Sequence, residues 1–208
     1  MGLRERLFAR VYDRMMAGTE QAGLGDTRAR LLADATGDVL EVGAGTGLNL
    51  AHYGGAVGTL TLTEPGPFML RRLEHTARAA GRPTTILRAG AGDLPFADAA
   101  FDTVVSTLVL CGVPDQPRAA GEIRRVLKPG GRLLLVEHVR SGDERLAHRQ
   151  DRMNWLNRII AGCDCNRRTL ETLQRSGFEI EHVVDGELPK SPSFVRPMIV
   201  GPATRPSS

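Results

Sequence analysis

VLEVGAGTGLNL, residues 39–50, is the stretch on which the fold turns. An apolar run ends in three glycines, Gly43, Gly45 and Gly47, that alternate with small residues. Glycine reaches backbone angles closed to other residues and has no Cβ, so a turn built this way lets a ligand come close to the backbone. In an open parallel sheet the first strand-to-helix turn, beyond the carboxyl end of the strand, is the usual place for one.

Further along, short apolar runs alternate with helical segments. The runs are DVLEVG, GTLTLTE, TTILRAG, FDTVVSTLVL, GRLLLVEHV, FEIEHVV and FVRPMIVG. They are rich in β-branched residues and lack strict polar alternation, which suits strands covered on both faces with helices as crossovers. The pattern is that of a mostly parallel α/β sheet. LKPGG, residues 127–131, is a helix stop and turn. Pro197 puts the last run at an edge or in antiparallel pairing. The Pro- and Ser-rich tail from Gly201 reads as loose. Upstream, Leu3, Leu7, Phe8, Val11 and Met15 fall at helical spacing, with Arg4, Arg6, Arg10 and Arg14 largely elsewhere on the surface; a helix packed on its own domain is expected, with a membrane-surface or substrate-covering helix as the rival. A second helix is expected over residues 26–36.

The chain has 208 residues, enough for one domain with a sizeable core. A single domain over 1–208 is expected, with a helical cap at 1–36, a cofactor-binding core at 37–139, acceptor-side helices at 140–177 and terminal strands at 178–200. The net charge of +3 is mild, and basic residues are interspersed with acids, which argues against nucleic acid as a partner. Three cysteines, Cys111, Cys163 and Cys165, make no disulfide framework, which points to a reducing, cytoplasmic compartment. No apolar run is long enough to span a bilayer, the N-terminus lacks a signal peptide's apolar core, and Arg6 stands where a myristoylation motif needs Ser or Thr. A soluble protein is expected, with peripheral membrane contact left open.

The loop narrows its own ligand. A dinucleotide fingerprint would need glycine where Leu48 stands, and a P-loop would need a lysine that is missing. What remains is G-x-G-x-G preceded by Glu41 and followed, after a second strand, by Glu64. An acid at that second position can accept both hydrogen bonds of a ribose diol. Glu41 would be unhelpful beside a pyrophosphate but suits a ligand with an ammonium group. A nucleoside with a cationic, amino-acid-like arm fits both: S-adenosylmethionine.

VLEVGAGTG, TEP, LPFADAAFDTVVSTLVLCGVPD and EIRRVLKPGGRLLLVEHV, in that order over about residues 38–139, resemble successive motifs of class I S-adenosylmethionine-dependent methyltransferases. The resemblance implies a Rossmann-like α/β fold, with a seven-stranded sheet, helices on both faces and a small helical cap. It implies S-adenosyl-L-methionine as cofactor, with Glu41, Gly43, Ala44, Gly45, Thr46, Gly47 and Asn49 around its methionine arm, Glu64 and Pro65 at the ribose, and Thr107 and Leu108 bordering the methyl. Family members often carry an acid four residues before the Leu of LPF to bind the adenine amine; here that position is Gly90, so adenine recognition passes to backbone near Ala91 or to Asp93. STLVLCGV, VEHV, GCDCNRRTLETLQRSGF and FVRPMIVG further resemble the methyltransferase-like alkyl thiol S-methyltransferases, which carry a membrane anchor not expected here.

Methyl transfer from a sulfonium is an in-line displacement, so alignment is the main task of the protein. A thiol acceptor, partly ionised at neutral pH, needs little further help, whereas an amine or hydroxyl asks more of a general base. His138, at the end of the LLLVE strand, is the candidate base, against a histidine simply bonded in the strand-end layer. Tyr12 is a second catalytic candidate that could close over the cofactor with Asp13. Cys111 could touch the acceptor, though buried cysteine is usually apolar filler. Cys163 and Cys165 form a C-x-C in which loop packing is favoured over metal binding, and no metal is expected. Met153, Trp155 and Ile159 could wall the acceptor pocket. Arg149, Arg152, Arg158, Arg167 and Arg168 could draw in an anionic substrate or simply solvate their helices. The expected activity is methylation of a small-molecule acceptor, preferably a thiol. The rivals are a lipid, quinone or amine acceptor, and a non-catalytic cofactor-binding partner protein.

Overall fold

The computed structural model describes residues 2–180 and 182–207, with every side chain among them except those of Leu3 and Arg4. The expectations for Leu3 and Arg4 lie outside that set, as does the part of FEIEHVV at residue 181. The elements are α1 (Gly2–Thr19), α2 (Gly25–Leu32), β1 (Gly37–Val42), β2 (Val57–Thr63), α3 (Pro67–Ala80), β3 (Thr85–Leu87), β4 (Phe101–Thr107), α4 (Gln116–Val126), β5 (Leu127–His138), α5 (Glu144–Ile160), α6 (Thr169–Arg175), β6 (Val184–Glu187) and β7 (Pro197–Thr204).

Seven strands form one sheet in the order β3-β2-β1-β4-β5-β7-β6. The first five pair in parallel, and β7 joins β5 and β6 in antiparallel fashion. Strand order reverses between β1 and β4, so their carboxyl ends diverge and open a crevice. Strand β5 shows why polar alternation is missing. Leu134 and Val136 enter a core with Leu62 and Leu73, while Leu133 and Leu135 enter a second core with Leu40 and Ile123. Both faces are covered, so both sets of positions are apolar.

Several expectations change. LKPGG does stop α4, but it then runs directly into β5 as a bulge: Phe101 pairs with Leu127 and Thr103 with Arg132, and Gly130 takes φ 77°. Among the described residues of FEIEHVV, Glu179 makes an isolated bridge to Thr204, and the sixth strand starts at the last residue of the run, Val184. Pro197 opens an antiparallel strand, yet that strand lies between β5 and β6, not at the edge. The tail is not loose at Gly201, because β7 continues to Thr204. Thr204 bonds Glu179 through both its N–H and its C=O. By the two-residue period Pro202 faces the same side, beyond the end of β6, where no ladder donor is missed.

Helix α1 also departs from the expected packing. Leu7, Val11 and Met15 are 61%, 41% and 46% exposed. The apolar stripe that the spacing reveals is largely turned to solvent, while Ala9 is buried and Met16 packs on the core. No helix among the described residues is long and apolar enough to cross a membrane.

Candidate active site

The glycine loop leaves β1 with Gly43, Gly45 and Gly47 all at positive φ, 60°, 59° and 88°. A Cβ at Gly43 would lie 2.8 Å from the Val109 methyls, and one at Gly47 would lie 2.8 Å from Leu50. At Gly45 a Cβ would meet only a carbonyl at 4.0 Å, so it would fill open space along the cleft that Gly45 lines. The glycines therefore serve two ends: 43 and 47 let the loop fold tightly, and 45 keeps its cleft side clear.

Glu64, at the end of β2, holds this loop. Its carboxylate accepts from Gly45 N–H at 3.0 Å and from Gly66 N–H at 2.7 Å, one on each oxygen. Burial raises its pKa, against the lowering effect of those two bonds. Each oxygen keeps a further lone pair, and Glu64 lines the cleft. Those lone pairs are what a ribose diol needs.

The cleft is a cavity of 840 Å³ at the switch point. Gly43, Gly45, Glu64, Pro65, Ala91, Asp93 and Leu108 of the expected cofactor set line it, as do Tyr12 and His138. Glu41, Ala44, Thr46, Gly47, Asn49 and Thr107 do not; they form the layer behind. Glu41 is fully buried and accepts from Asn49 Nδ2 at 2.9 Å and Tyr53 OH at 2.7 Å. Burial pushes its pKa up to about 7. It thus does not face a ligand's ammonium group as expected, but braces the loop from beneath. Arg28 completes that layer by donating to Asn49, Thr107 and Glu20.

Helix α1 roofs the cleft with Phe8, Tyr12, Met15 and Met16. Burial pushes the Tyr12 phenol up to about 12, so it stays protonated. Asp13 turns away from the cleft, accepting from Thr46 Oγ1 at 2.6 Å and from Arg72.

At the floor, three side chains from separate elements meet. His138 Nδ1 lies 3.7 Å from both Cys111 Sγ and Cys163 Sγ. The His138 Nε2 is buried without a hydrogen-bond partner among the described residues. Glu137, fully buried, sets Cys111 in place: its carboxylate accepts from Ser106 Oγ and from the N–H groups of Val109, Leu110 and Cys111, all within 3.0 Å. On the other side Asn157 donates to the Cys163 carbonyl at 2.9 Å and to its sulfur at 3.4 Å. The hydrogen bond from Cys111 pulls the Cys163 thiol down to about 5, helped by His138 and Asn157 against burial. The same bond, with burial and Glu137, pushes Cys111 up.

Two expectations for the acceptor side do not hold. Trp155 and Ile159 are 61% and 55% exposed, Met153 packs on the core, and none of the three lines the cleft. Besides Leu146, Ala147 and Met153, α5 turns inward Gln150, Asn154 and Asn157, which hold the GCDC loop through its backbone. Nor do the five arginines meet the cleft: Arg158 and Arg167 pair with Asp164, Arg168 pairs with Glu171, and among the described residues the guanidinium that lines the cavity is that of Arg118. Sequence reading offered α1 as a substrate-covering helix with Tyr12 over the cofactor, but missed Met16, Phe68, Met69, Arg118 and Glu137. Only Glu137 left a local trace, as an acid inside an otherwise apolar strand.

A family model described as Methyltransferase domain matches residues 40–135. The thiol S-methyltransferase TMT1A of Homo sapiens is 28% identical over 95% of this chain and 83% of its own length. The thiol S-methyltransferase TMT1B of Homo sapiens is 30% identical over 82% of this chain and 70% of its own. Among solved structures, one described as a SAM-dependent methyltransferase, possible histamine N-methyltransferase, from Thermotoga maritima, superposes with a TM-score of 0.72 at 23% identity. It covers 99% of this chain and 100% of that one, a likeness of fold.

Proposed function

The chain belongs to the S-adenosylmethionine-dependent methyltransferases, and from that premise we propose that it methylates a small, apolar thiol within the cleft roofed by α1. The observation that carries this reading is the cleft lining itself. One cavity joins Gly45 and Glu64 to apolar side chains, Phe8, Met16, Val109 and Val113, and to the thiol and imidazole of Cys163 and His138. An acceptor whose sulfur ionises readily needs orientation and exclusion of water, which such walls supply. Similarity to proteins named thiol S-methyltransferases supports the same choice.

In this reading Glu64 accepts the ribose hydroxyls, Gly43 and Gly45 leave room for the methionine arm, and Ala91 with Asp93 borders the adenine. S-adenosylmethionine supplies a methyl on a sulfonium. The acceptor sulfur forms a bond to that carbon as the sulfonium bond breaks, and the thiol proton leaves to solvent or to His138. Tyr12, held protonated, is a donor in the roof and not a base. The expected arrangement of cap, core, acceptor-side helices and terminal strands is kept as part of this proposal, with β7 extended to Thr204.

Labelled S-adenosylmethionine with a panel of alkyl thiols, phenols, amines and phospholipid vesicles tests it. Thiols should be labelled first, and label confined to vesicles would overturn the thiol choice. A second reading, an acceptor drawn from a lipid surface, has one observation in its favour: exposed Leu7, Val11 and Met15 share α1 with exposed Arg6, Arg10 and Arg14. Such a helix would bind anionic vesicles and release them at high salt.

A further inference from the structure

We propose that Cys111, His138 and Cys163 form a binding site for a soft divalent cation, with Zn²⁺ as its probe and the fourth coordination position opening on the cleft. Their three donor atoms lie within 4.8 Å of one another. Zinc held tetrahedrally, at about 2.3 Å from sulfur and 2.0–2.1 Å from nitrogen, sets its ligands about 3.6 Å apart for S and N and about 3.8 Å for two sulfurs. The observed S···N separations are both 3.7 Å. Both S···N pairs already stand at the spacing a bound ion would impose, and the two sulfurs lie within 4.8 Å of one another.

The surroundings hold it there. Cys111 is fixed by its N–H to Glu137, at 3.0 Å, and its carbonyl accepts from Asp164 N–H at 2.9 Å, which ties the two cysteine loops together. Asn157 supports Cys163 at both carbonyl and sulfur. Outer-shell bonds of this kind orient metal ligands. Charge permits the site: two thiolates, one neutral imidazole and a divalent ion sum to zero, so the buried group carries no net charge once the thiol protons have left. His138 and Cys163 line the cleft and Cys111 lies behind them, so a site with three protein ligands would present its open position to the cavity. A local C-x-C reading of Cys163 with Cys165 missed this, because Cys165 turns to Asn154 instead.

Binding of the ion does not depend on which acceptor is used. On the thiol reading, an acceptor thiol that took the fourth position would give its proton to solvent and be held as a thiolate beside the methyl donor. That refinement rests on the function proposed above; the site itself does not.

The test is a titration of the full chain, reduced, stripped with a chelator, and free of cofactor and acceptor. Co²⁺ should bind at one equivalent with thiolate-to-metal charge-transfer absorption and the intense d–d bands of tetrahedral geometry, and Zn²⁺ should displace it. Cys163→Ser should weaken Zn²⁺ binding by about 100-fold or more, beyond the loss seen for outer-shell changes. Cys165→Ser should keep the affinity. Should Cys111→Ser fail to fold by circular dichroism, the half-buried Cys163 and His138→Ala still decide the matter. No charge-transfer band in the reduced wild-type protein, or unchanged affinity in Cys163→Ser, overturns the site. Failure of the thiol reading would show separately, as absent thiol labelling with the cobalt spectrum intact.

Discussion

Thr46 Oγ1 donates to the Asp13 carboxylate at 2.6 Å, and this bond fastens the N-terminal helix to the glycine loop across 33 residues of sequence. Arg72 of α3 grips the same carboxylate. The roof of the cleft and its glycine loop are thereby one mechanical unit, although α1 otherwise leaves much of its apolar stripe in solvent.

Asp13→Ala should therefore free the roof without unfolding the sheet. Loss of the Thr46 bond together with the part-exposed Arg72 pair is worth about 1–2 kcal/mol, so S-adenosylhomocysteine should bind roughly five- to thirty-fold more weakly. Calorimetry reads the affinity, and hydrogen exchange should rise in α1 alone. Unchanged exchange in α1 would refute the clamp.

Glu64→Gln should hurt cofactor binding as much as Glu64→Ala. Both carboxylate oxygens accept from backbone N–H groups, and a carboxamide has a single acceptor, so its NH₂ would face a donor at Gly45 or Gly66. A mispaired buried donor costs about 1–3 kcal/mol, which predicts a rise of roughly 5- to 150-fold in the dissociation constant of S-adenosylhomocysteine. A near-wild-type Glu64→Gln would show that Glu64 does not carry the ribose.

Glu41 predicts a pH dependence of stability. Its pKa rises from 4.5 to about 7 on folding, so the folded chain holds the proton more tightly than the unfolded one. The stabilisation is complete below pH 4.5, is lost as pH rises through 7, and is then flat. At about 1.4 kcal/mol per unit the span is on the order of 3 kcal/mol. Denaturant unfolding of Glu41→Gln at pH 5 and pH 8 should show that this slope has gone. Its amide can accept from Asn49 and donate to Tyr53, so the variant should gain on wild type at pH 8.

Gly90→Asp should strengthen cofactor binding. A Cβ at Gly90 meets nothing within 4 Å, its φ is not in the left-handed region, and the residue lines the cleft beside Ala91. A carboxylate there can accept from the adenine amine. A gain of several-fold in affinity is expected, on the scale of one hydrogen bond of about 1 kcal/mol. The gain should vanish with the inosine analogue, which lacks that amine. An equal gain with both would mean that the adenine lies elsewhere.

Much of this was legible along the chain. The succession of β1 to β5 along the chain, the loop at Gly43–Gly47 and the acid at Glu64 follow from local signals: apolar runs, glycines at fixed spacing, an acid at a strand end. Pro197 left an edge strand and an antiparallel one open, and the fold takes the second. What failed were judgements of which side of an element faces inward. Leu7, Val11 and Met15 mark a stripe, but spacing cannot say whether anything covers it. Trp155 and Ile159 are apolar, yet α5 turns its carboxamides inward because the GCDC loop needs donors and acceptors for its backbone. Glu41 looked like a ligand contact because it adjoins the loop, and period-two alternation put it behind.

By itself, then, the sequence determined the sheet, the loop and the methyl donor, since each depends on residues within a strand or turn of one another. Only the tertiary structure decided what stands opposite that donor. Cys111, His138 and Cys163 come from the turn after β4, the end of β5 and the loop after α5, and no spacing within the chain links them. Their meeting depends on Glu137 folding the loop at the end of the neighbouring strand β4, and on Asn157 of α5 folding the loop that follows its own helix.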